Sequence, residues 1–228
     1  MNKRILAWLL TLCMVLSIVP FTPLTAKVEA AITAEGDLDT TAEVWYGEGT
    51  KDSANLTMAG TLANAVTYAN TAATPTYIQF QNNVTLNSVQ YIGATSSTTD
   101  ITIDLNGYEV DAGSNIVFRI RYGAEGATVY FTDTYAGSER ESSVSTTSTN
   151  GCVFIAYSAL WDVVIDGGTY TEKVMVQAAS SSASYSGNIT INDGATFNTT
   201  NDFLRAGNGN VTINGGSFTI FQNGRKSN

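Results

Sequence analysis

A short strand-like motif recurs along the chain from residue 101 onward, and it constrains the fold more than any other feature. Each clear copy opens with apolar residues two positions apart, continues with Asp or Asn and one or two glycines, and closes on an aromatic residue. Apolar residues at this spacing indicate a β-strand with one buried face. The four clear copies are residues 101–108, 163–170, 189–197 and 211–218, and a looser fifth copy is 128–133.

The motif predicts which side chains form the interior and which form the corners. Asp and Asn tolerate turn conformations and bond their own backbone, and glycine supplies the positive φ of a turn. The second apolar residue of each clear copy is expected to stack in one interior: Ile103, Ile165, Ile191 and Ile213. The aromatic residues are expected to re-enter the core or cover its edge: Tyr108, Tyr170, Phe197 and Phe218. The predicted corner residues are Asp104, Gly107, Asp166, Gly168, Asn192, Gly194, Asn214 and Gly216.

The spacing of the copies predicts a three-sided β-solenoid. The copies begin at residues 101, 128, 163, 189 and 211, about one solenoid turn apart. The longest interval contains the Ser- and Thr-rich tract 137–150, which we interpret as a loop, and 180–187 is interpreted as a second loop. Propeller blades need roughly 40 residues or more, and the glycines and β-branched residues disfavour helical repeats. A β-sandwich is the remaining alternative, although it would not require the same corner chemistry to recur.

The segment before the first copy is expected to prepare the stack. A short amphipathic helix is predicted within residues 60–70, where it would cap the open end of the solenoid. Its apolar face consists of Leu62, Ala65, Val66 and Ala69. Strands are expected around Ile78, which lies one repeat before Ile103. Residues 31–56 are mostly polar and acidic, and we interpret them as a lead-in or linker whose apolar patch at 44–46 docks on the helix.

The first thirty residues have the pattern of a secretory signal peptide. Two basic residues precede an apolar run at 5–19, prolines follow it, and residues 28–30 offer a cleavage site before Ala31. The run is shorter than the roughly 18 residues that a membrane span needs, which disfavours a membrane anchor. The bulky leucine before Cys13 disfavours a lipoprotein. We therefore expect a secreted or cell-surface protein whose mature chain does not insert into the membrane.

Charge and residue content exclude several functions. The full chain has 11 basic and 20 acidic residues, and cleavage after residue 30 leaves 8 and 19, a net charge of −11. Such an acidic chain is expected to repel nucleic acid, whose phosphates need Lys and Arg partners. Histidine is absent, which removes Ser-His-Asp and Cys-His catalysis and imidazole metal sites. Cys152 lies in an apolar run and is predicted to be a buried, inert thiol.

These motifs resemble the right-handed parallel β-helix proteins with the pectin-lyase-like fold. The residues that carry the resemblance are the predicted cap helix, the sequences at 83–86 and 103–107, and the Gly-Gly-Thr-Tyr and Gly-Gly-Ser-Phe sequences of the later copies. More narrowly, the chain is similar to the β-helix modules at the front of large adhesin-like surface proteins of bacteria. The resemblance implies an all-β fold, a right-handed parallel β-helix (solenoid) with a short N-terminal capping helix.

The predicted organisation has three parts. Residues 1–30 form the signal peptide, 31–56 the lead-in or linker, and 57–228 the parallel β-helix domain. The last eight residues, from 221, contain no capping element, wall-sorting signal or anchor. An uncapped end would expose unpaired backbone groups and an open core. We therefore expect this domain to be truncated at its C-terminus.

An enzyme of the pectin-lyase-like fold is the first alternative. Hydrolases of this kind resemble one another in an Asn-Thr-Asp strand, paired aspartates, a Gly-His-Gly turn and an Arg-Ile-Lys strand, and residues 198–202 match this only distantly. Lyases use calcium held by aspartates and an Arg or Lys base, but the cations present belong to no acidic cluster in the sequence: Arg119, Arg121, Lys173 and Arg205. No catalytic residue and no cofactor are predicted, and Ca²⁺ bound by stacked Asp and Asn oxygens stays open.

A binding role needs less machinery, because sugars are bound by aromatic faces with neighbouring hydroxyl and amide groups. The candidate ligand-binding residues lie in or beside the predicted loops: Trp161, Tyr157, Tyr135 and Tyr185. The alternative is that these rings cover the core. We therefore expect a non-catalytic exported module of a cell-surface adhesin or carbohydrate-binding protein, whose partner is an extracellular glycan or a host or cell-surface protein. A divergent or truncated polysaccharide lyase or hydrolase and a structural stalk are the alternatives.

Overall fold

The structure, a computed structural model, is built mostly of β-strands, which confirms the all-β class. It describes residues 31–32, 38–93, 99–121, 126–155, 160–172, 174–176, 187–199, 204–205 and 209–220. Within these residues the chain forms three sheets and one helix, α1 (Leu62–Ala69). None of the helical structure in the described residues is long and apolar enough for a membrane span.

The strands enter the three sheets in rotation. In sheet order, the nine-stranded sheet contains β1 (Ala31–Ile32), β3 (Ser53–Gly60), β2 (Val44–Thr50), β4 (Thr76–Phe80), β7 (Ile101–Asp104), β10 (Thr128–Thr132), β13 (Asp162–Ile165), β16 (Ile189–Ile191) and β19 (Val211–Ile213). The six-stranded sheet contains β5 (Val84–Thr85), β8 (Glu109–Asp111), β11 (Ser143–Ser145), β14 (Gly168–Tyr170), β17 (Ala195–Thr199) and β20 (Ser217–Ile220). The five-stranded sheet contains β6 (Gln90–Ile92), β9 (Phe118–Ile120), β12 (Val153–Ile155), β15 (Val174–Val176) and β18 (Leu204–Arg205). From β4 onward, each strand therefore pairs in parallel with the strand three places later.

The predicted interior column is present in the nine-stranded sheet. Phe131, from the looser copy of the motif, lies between Ile103 and Ile165 in register. Along the sheet the column reads Ile78, Ile103, Phe131, Ile165, Ile191 and Ile213. Its first five members are fully buried, whereas Ile213 in β19 is 52% exposed. The motif therefore predicted both the register and the identity of this part of the core.

The aromatic residues of the motif behave differently in the first copy and in the later ones. Tyr170, Phe197 and Phe218 pair in register in the six-stranded sheet, and their rings stack with centroids 5.2 and 5.5 Å apart. In the first copy Val110 takes the equivalent position. The corner there is longer because the buried Leu105 is inserted after β7. Tyr108 consequently lies half-buried at the edge of the core.

The corners combine positive-φ glycines with side-chain hydrogen bonds between neighbouring strands. Each predicted corner glycine has a positive φ: Gly107 at 75°, Gly168 at 88°, Gly194 at 96° and Gly216 at 100°. Asp104 bonds its own corner as expected, accepting from the amide of Asn106 at 3.0 Å. The side chains of Asp166, Asn192 and Asn214 also bond to one another. The Asn192 amide donates to the Asp166 carboxylate, and the Asn214 Nδ2 donates to Asn192 Oδ1 at 2.8 Å. These three corners therefore stabilise their neighbours as well as their own turns.

Helix α1 is present with the predicted buried face. Leu62, Ala65, Val66 and Ala69 are buried. Thr61 caps its N-terminus by accepting a hydrogen bond from Asn64 N. Asn70 attaches the other end to the edge strand β6, donating to Tyr91 O and accepting from the amide of Gly93, both at 2.8 Å. The helix thus covers the first strand of the five-stranded sheet.

The interpretation of residues 31–56 as a lead-in or linker is not what the structure has. Strands β2 and β3 form an antiparallel hairpin, and β2 continues the nine-stranded sheet by pairing with β4. The reason is burial: Val44 is fully buried opposite Phe80, and Leu56 is fully buried in a small cluster with Tyr77. The Tyr46 ring also contacts Tyr68 of α1, with centroids 5.6 Å apart.

The predicted loop at 137–150 also differs from the structure. Ser143–Ser145 within it form strand β11, because Val144 is fully buried and pairs with Val110 and Tyr170 on either side. The loop that remains runs over residues 133–142, between β10 and β11. The second predicted loop lies almost entirely outside the described residues, and so do the predicted signal peptide and the last eight residues.

Candidate functional site

A groove of about 600 Å³ lies between the corner that follows β7 and the loop 133–142. Asn82 and Asn83 line it from the turn before β5. Tyr108 and Glu109 line it at the start of β8, and residues 139–141 of the loop, Glu-Arg-Glu, close its other side. The groove therefore presents amides, carboxylates, a guanidinium and an aromatic ring within one concave surface.

An arginine between two tyrosines forms one wall of the groove. The guanidinium carbon of Arg140 lies 4.1 Å from the ring centroid of Tyr108 and 4.2 Å from that of Tyr135. Both distances are within the range of cation–π attraction. The Tyr135 ring fills the space beside two glycines, since a Cβ on Gly107 or Gly137 would approach its atoms to 2.8 or 2.4 Å. These two glycines allow the ring to lie where Arg140 can stack on it.

The loop that carries Arg140 is anchored by the buried carboxylate of Asp104. Its Oδ2 accepts hydrogen bonds from the Tyr77 hydroxyl at 2.9 Å, Gln79 Nε2 at 2.9 Å and the Thr134 hydroxyl at 2.7 Å. Its Oδ1 accepts from the amides of Asn106 and Thr134, both at 3.0 Å. Burial, and then the neighbouring Asp104 charge, raise the pKa of Tyr77 well above its ordinary value, so this phenol stays a donor.

A second aspartate, Asp133, fastens both ends of the loop. Its Oδ1 accepts from the amides of Gly107 at 2.9 Å and Tyr135 at 3.3 Å. Its Oδ2 accepts from the Ser142 hydroxyl at 2.7 Å. Asp133 directly follows β10 and Ser142 directly precedes β11. Their hydrogen bond joins the two ends of the loop, and the bond to Gly107 attaches these ends to the corner of the preceding repeat. The groove is therefore built from residues far apart in sequence.

The four predicted ligand-binding aromatics are placed very differently. Tyr135 is half-buried and contacts Arg140 with its ring, but it is not among the residues that line the groove. Trp161 is fully buried in the main core, so its ring is not presented to a ligand, and the prediction for this residue was wrong. The physical reason is that its indole packs against Gly93, where a Cβ would lie 2.9 Å from Nε1. Tyr157 and Tyr185 lie outside the described residues.

The acidic residues of the groove decide what chemistry it can perform. Glu109, Glu139 and Glu141 are all exposed to solvent. A glycosidase acid needs surroundings, such as an apolar pocket, that keep it protonated near neutral pH. Three exposed carboxylates around one arginine are better suited to accepting hydrogen bonds from hydroxyl or amino groups. In the part of the chain that the structure describes, no group of three or more acidic or thiol side chains is arranged to hold a metal ion, so the Ca²⁺ possibility gains no ligand set.

Several groove residues were not predicted from the sequence. The motif predicts Tyr108 only as a residue of the core or its edge, and the Ser- and Thr-rich pattern predicts Arg140 and its flanking glutamates only as part of a loop. The signal that could have identified them is the Glu-Arg-Glu sequence within an otherwise uncharged Ser- and Thr-rich tract. Cys152, by contrast, is fully buried as predicted, and burial raises the pKa of its thiol to about 12.

The groove combines an aromatic ring and a guanidinium with amide and carboxylate groups. Its aromatic wall is fixed by two aspartates and two glycines rather than by its own loop alone. Comparisons with protein-family models, with curated proteins and with solved structures found no match for this chain.

Proposed function

We propose that this chain is a right-handed parallel β-helix module of the pectin-lyase-like kind, exported and non-catalytic, that binds carbohydrate in an adhesin-like cell-surface protein. The parallel pairing of each strand from β4 to β17 with the strand three places later supports the β-helix, because three-sided solenoids have this order. Crossovers between parallel strands are right-handed in about 98% of cases, which supports the handedness. The N-terminal pattern of residues 1–30 supports export.

The observation that carries the binding function is the groove wall formed by Tyr108 and Arg140, with the Tyr135 ring supporting Arg140 from behind the lining. Ligand sites combine aromatic surface with a few fixed polar groups, and here the amides of Asn82 and Asn83 face that wall. The three glutamates of the groove disfavour an acidic sugar in this place, since like charges repel. The groove therefore favours a neutral or amino-bearing glycan.

A polysaccharide hydrolase is the second candidate, and one observation favours it. Glu109, Glu139 and Glu141 line the same groove, and glycoside hydrolysis needs two carboxylates on either side of the scissile bond. Their exposure counts against this reading, as does the absence of histidine as an alternative acid–base group. A structural stalk would need neither the groove nor its anchored wall.

Glycan-array binding and polysaccharide pull-down of residues 31–228 test the proposal, with bound ligand and released reducing or unsaturated ends measured together. We expect binding of neutral or amino-bearing glycans without product. Tyr108→Ala and Arg140→Ala should each weaken that binding by about tenfold, since aromatic and cation–π contacts contribute ~1 kcal/mol or more. Tyr91→Ala is the matched control, because Tyr91 is also exposed and also contacts an arginine, but on another sheet.

Each other result has a defined meaning. Release of sugar ends that is lost in Glu139→Gln or Glu141→Gln would replace the binding module with the hydrolase. Binding that Tyr91→Ala weakens as much as Tyr108→Ala does would remove the groove from the proposal. Silence in both measurements, with every variant folded by circular dichroism, would favour the stalk.

A further inference from the structure

The outer face of the five-stranded sheet carries an arginine and tyrosine cluster that the groove does not use. Tyr91 in β6 and Arg119 in β9 lie opposite each other in register, and the residues on either side of each are buried. Both therefore lie on the outer face, where Tyr91 is 41% exposed. Arg121 follows β9 directly, and its guanidinium carbon lies 3.7 Å from the centroid of the Tyr91 ring.

The register continues this cluster along the sheet. Phe154 in β12 pairs with Arg119, and Met175 in β15 pairs with Phe154. Arg205 in β18 then pairs with Met175, so two uncharged residues separate the two arginine positions. Neighbouring strands lie about 4.8 Å apart, so the positions of Arg119 and Arg205, three strands apart, are separated by roughly 14 Å. We call the outer face defined by Tyr91, Arg119, Arg121 and the position of Arg205 the arginine face.

Charge is segregated onto this face. The five strands of the five-stranded sheet contain no Asp or Glu, whereas strands of the other two sheets contain Glu48, Asp104, Asp162, Glu109 and Asp111. The basic residues in the described part of the chain are Lys51, Arg119, Arg121, Arg140 and Arg205, and three of these five belong to the arginine face. In a chain with a net charge of −9, such clustering gives one sheet a positive field that the remaining surface opposes.

We propose that the arginine face binds an anionic glycan. Guanidinium groups match the planar oxygens of carboxylate and sulfate through paired hydrogen bonds, and the Tyr91 ring with Arg121 stacked on it offers a flat surface beside them. An extended polymer whose anions recur along its length suits the adjacent positions of Arg119 and Arg121, with the position of Arg205 three strands further along the sheet. This inference goes beyond the proposed function, because it concerns a second surface and the opposite class of glycan.

The small number of cations favours a glycan over a nucleic acid. Proteins held by phosphate contacts make on the order of 6–10 of them, and the arginine face has arginines at only three positions of a strongly acidic chain. Duplex DNA is therefore the comparison polymer that distinguishes recognition of an acidic sugar from attraction to any polyanion.

Affinity electrophoresis of residues 31–228 through gels that contain alginate, dextran sulfate, neutral dextran or duplex DNA tests the proposal. We expect retardation by alginate or dextran sulfate and none by neutral dextran or DNA. Alginate and dextran sulfate distinguish carboxylate from sulfate as the bound group. Raising the salt from ~0.05 M to ~0.5 M should weaken the binding by about tenfold or more, because released counterions drive it.

Charge-removing variants locate the surface. Arg121→Gln should weaken binding roughly fivefold and Arg119→Gln with Arg121→Gln by more than tenfold, whereas Arg121→Lys should retain most of it. Lys51→Gln is the matched control, since it removes a cation that lies over the Tyr130 ring, outside both the groove and the arginine face, and should leave binding of acidic glycans unchanged. If the double variant is unfolded by circular dichroism, Arg121→Gln alone decides.

The outcomes separate this surface from the groove. Absence of retardation by both acidic glycans, equal retardation by DNA, or a loss in Lys51→Gln as large as in Arg121→Gln would overturn the inference. Loss confined to the arginine-face variants supports it. Failure of the groove proposal appears independently: neutral and amino-bearing glycans do not bind, or Tyr108→Ala leaves their binding unchanged, while binding of alginate or dextran sulfate is intact.

Discussion

Asp104 lies fully buried at the end of β7, and its two oxygens accept hydrogen bonds from β4, from its own corner and from the loop after β10. A carboxylate without solvent is costly unless donors surround it, and here five hydrogen bonds replace water. Asp166, the aspartate at the corner after β13, is less buried and accepts from the neighbouring Asn192 instead. One position of the repeat thus serves two purposes, according to what the adjacent loop brings to it.

Asp104→Asn should destabilise the protein by about 2 kcal/mol or more. The amide group has almost the same shape, but its NH2 replaces an oxygen that accepts from Tyr77, Gln79 and Thr134, so these buried donors lose their acceptor. Urea unfolding followed by tryptophan fluorescence measures the change.

Asp111→Asn provides the matched control for this substitution. Asp111 ends β8 in the next sheet, is exposed, and accepts from the amide of Gly113 at 2.9 Å. Its change in unfolding free energy should stay within about 0.5 kcal/mol. Equal effects of the two substitutions would mean that the buried network contributes no more than a surface turn.

Among the elements, those with a regular period were predictable from the sequence. Helix α1 has its four apolar residues at helical spacing, and the strands of the nine-stranded sheet have apolar residues two apart. The recurrence of the motif also predicted the register of Ile78 with Ile103. The local pattern was sufficient in these cases because each element buries one face and leaves the other less buried, so its apolar residues recur at a regular spacing.

The β2–β3 hairpin and the groove could not be predicted in this way. Gly47 and Gly49 interrupt the alternation in β2, and the pairing with β3 shifts register after Tyr46, so no strand period is visible. The hairpin is held in place because β2 pairs with the edge of β4, a contact between residues about 30 positions apart in the sequence. The groove depends on bonds from Asp104 and Asp133 to residues 26 to 30 positions away, which no local pattern records.

The hairpin should be an integral part of the fold, and Leu56→Ala tests this. Leu56 is fully buried against Ala54 and Tyr77 on the outer face of the nine-stranded sheet. Its truncation should lower the free energy of unfolding by about 2–4 kcal/mol, as for other buried leucines. Asn55→Ala, at the exposed neighbouring position, should change it by less than about 0.5 kcal/mol. A lead-in that did not pack on the sheet would show no difference between the two in urea unfolding.

At the scale of the whole molecule, contacts are nearly one-dimensional. Strand β7 pairs with β4 and β10, and β10, β13 and β16 each pair in the same way with the strand before and the strand after in the nine-stranded sheet. The first strands are covered by the hairpin and α1. At the other end, the large apolar side chains of β19 and β20 are open to solvent: Ile213 is 52%, Phe218 37% and Ile220 57% exposed. Stability should therefore decrease along the stack, since each repeat is stabilised by its neighbours.

Hydrogen exchange measured by mass spectrometry on residues 31–228 should reveal this gradient. We expect the amides of β7 and β10 to be the slowest to exchange, because they are paired on both sides and cover buried columns. Those of β19 and β20 should exchange at least about 100-fold faster, since local opening there breaks one neighbour's contacts and exposes little apolar surface that is not already exposed. Ile103→Ala should lower protection across several repeats, whereas Ile213→Ala should affect only the last. Uniform protection, or equal effects of the two substitutions, would contradict a stack of repeats and favour a single cooperative core in which every strand depends on all the others.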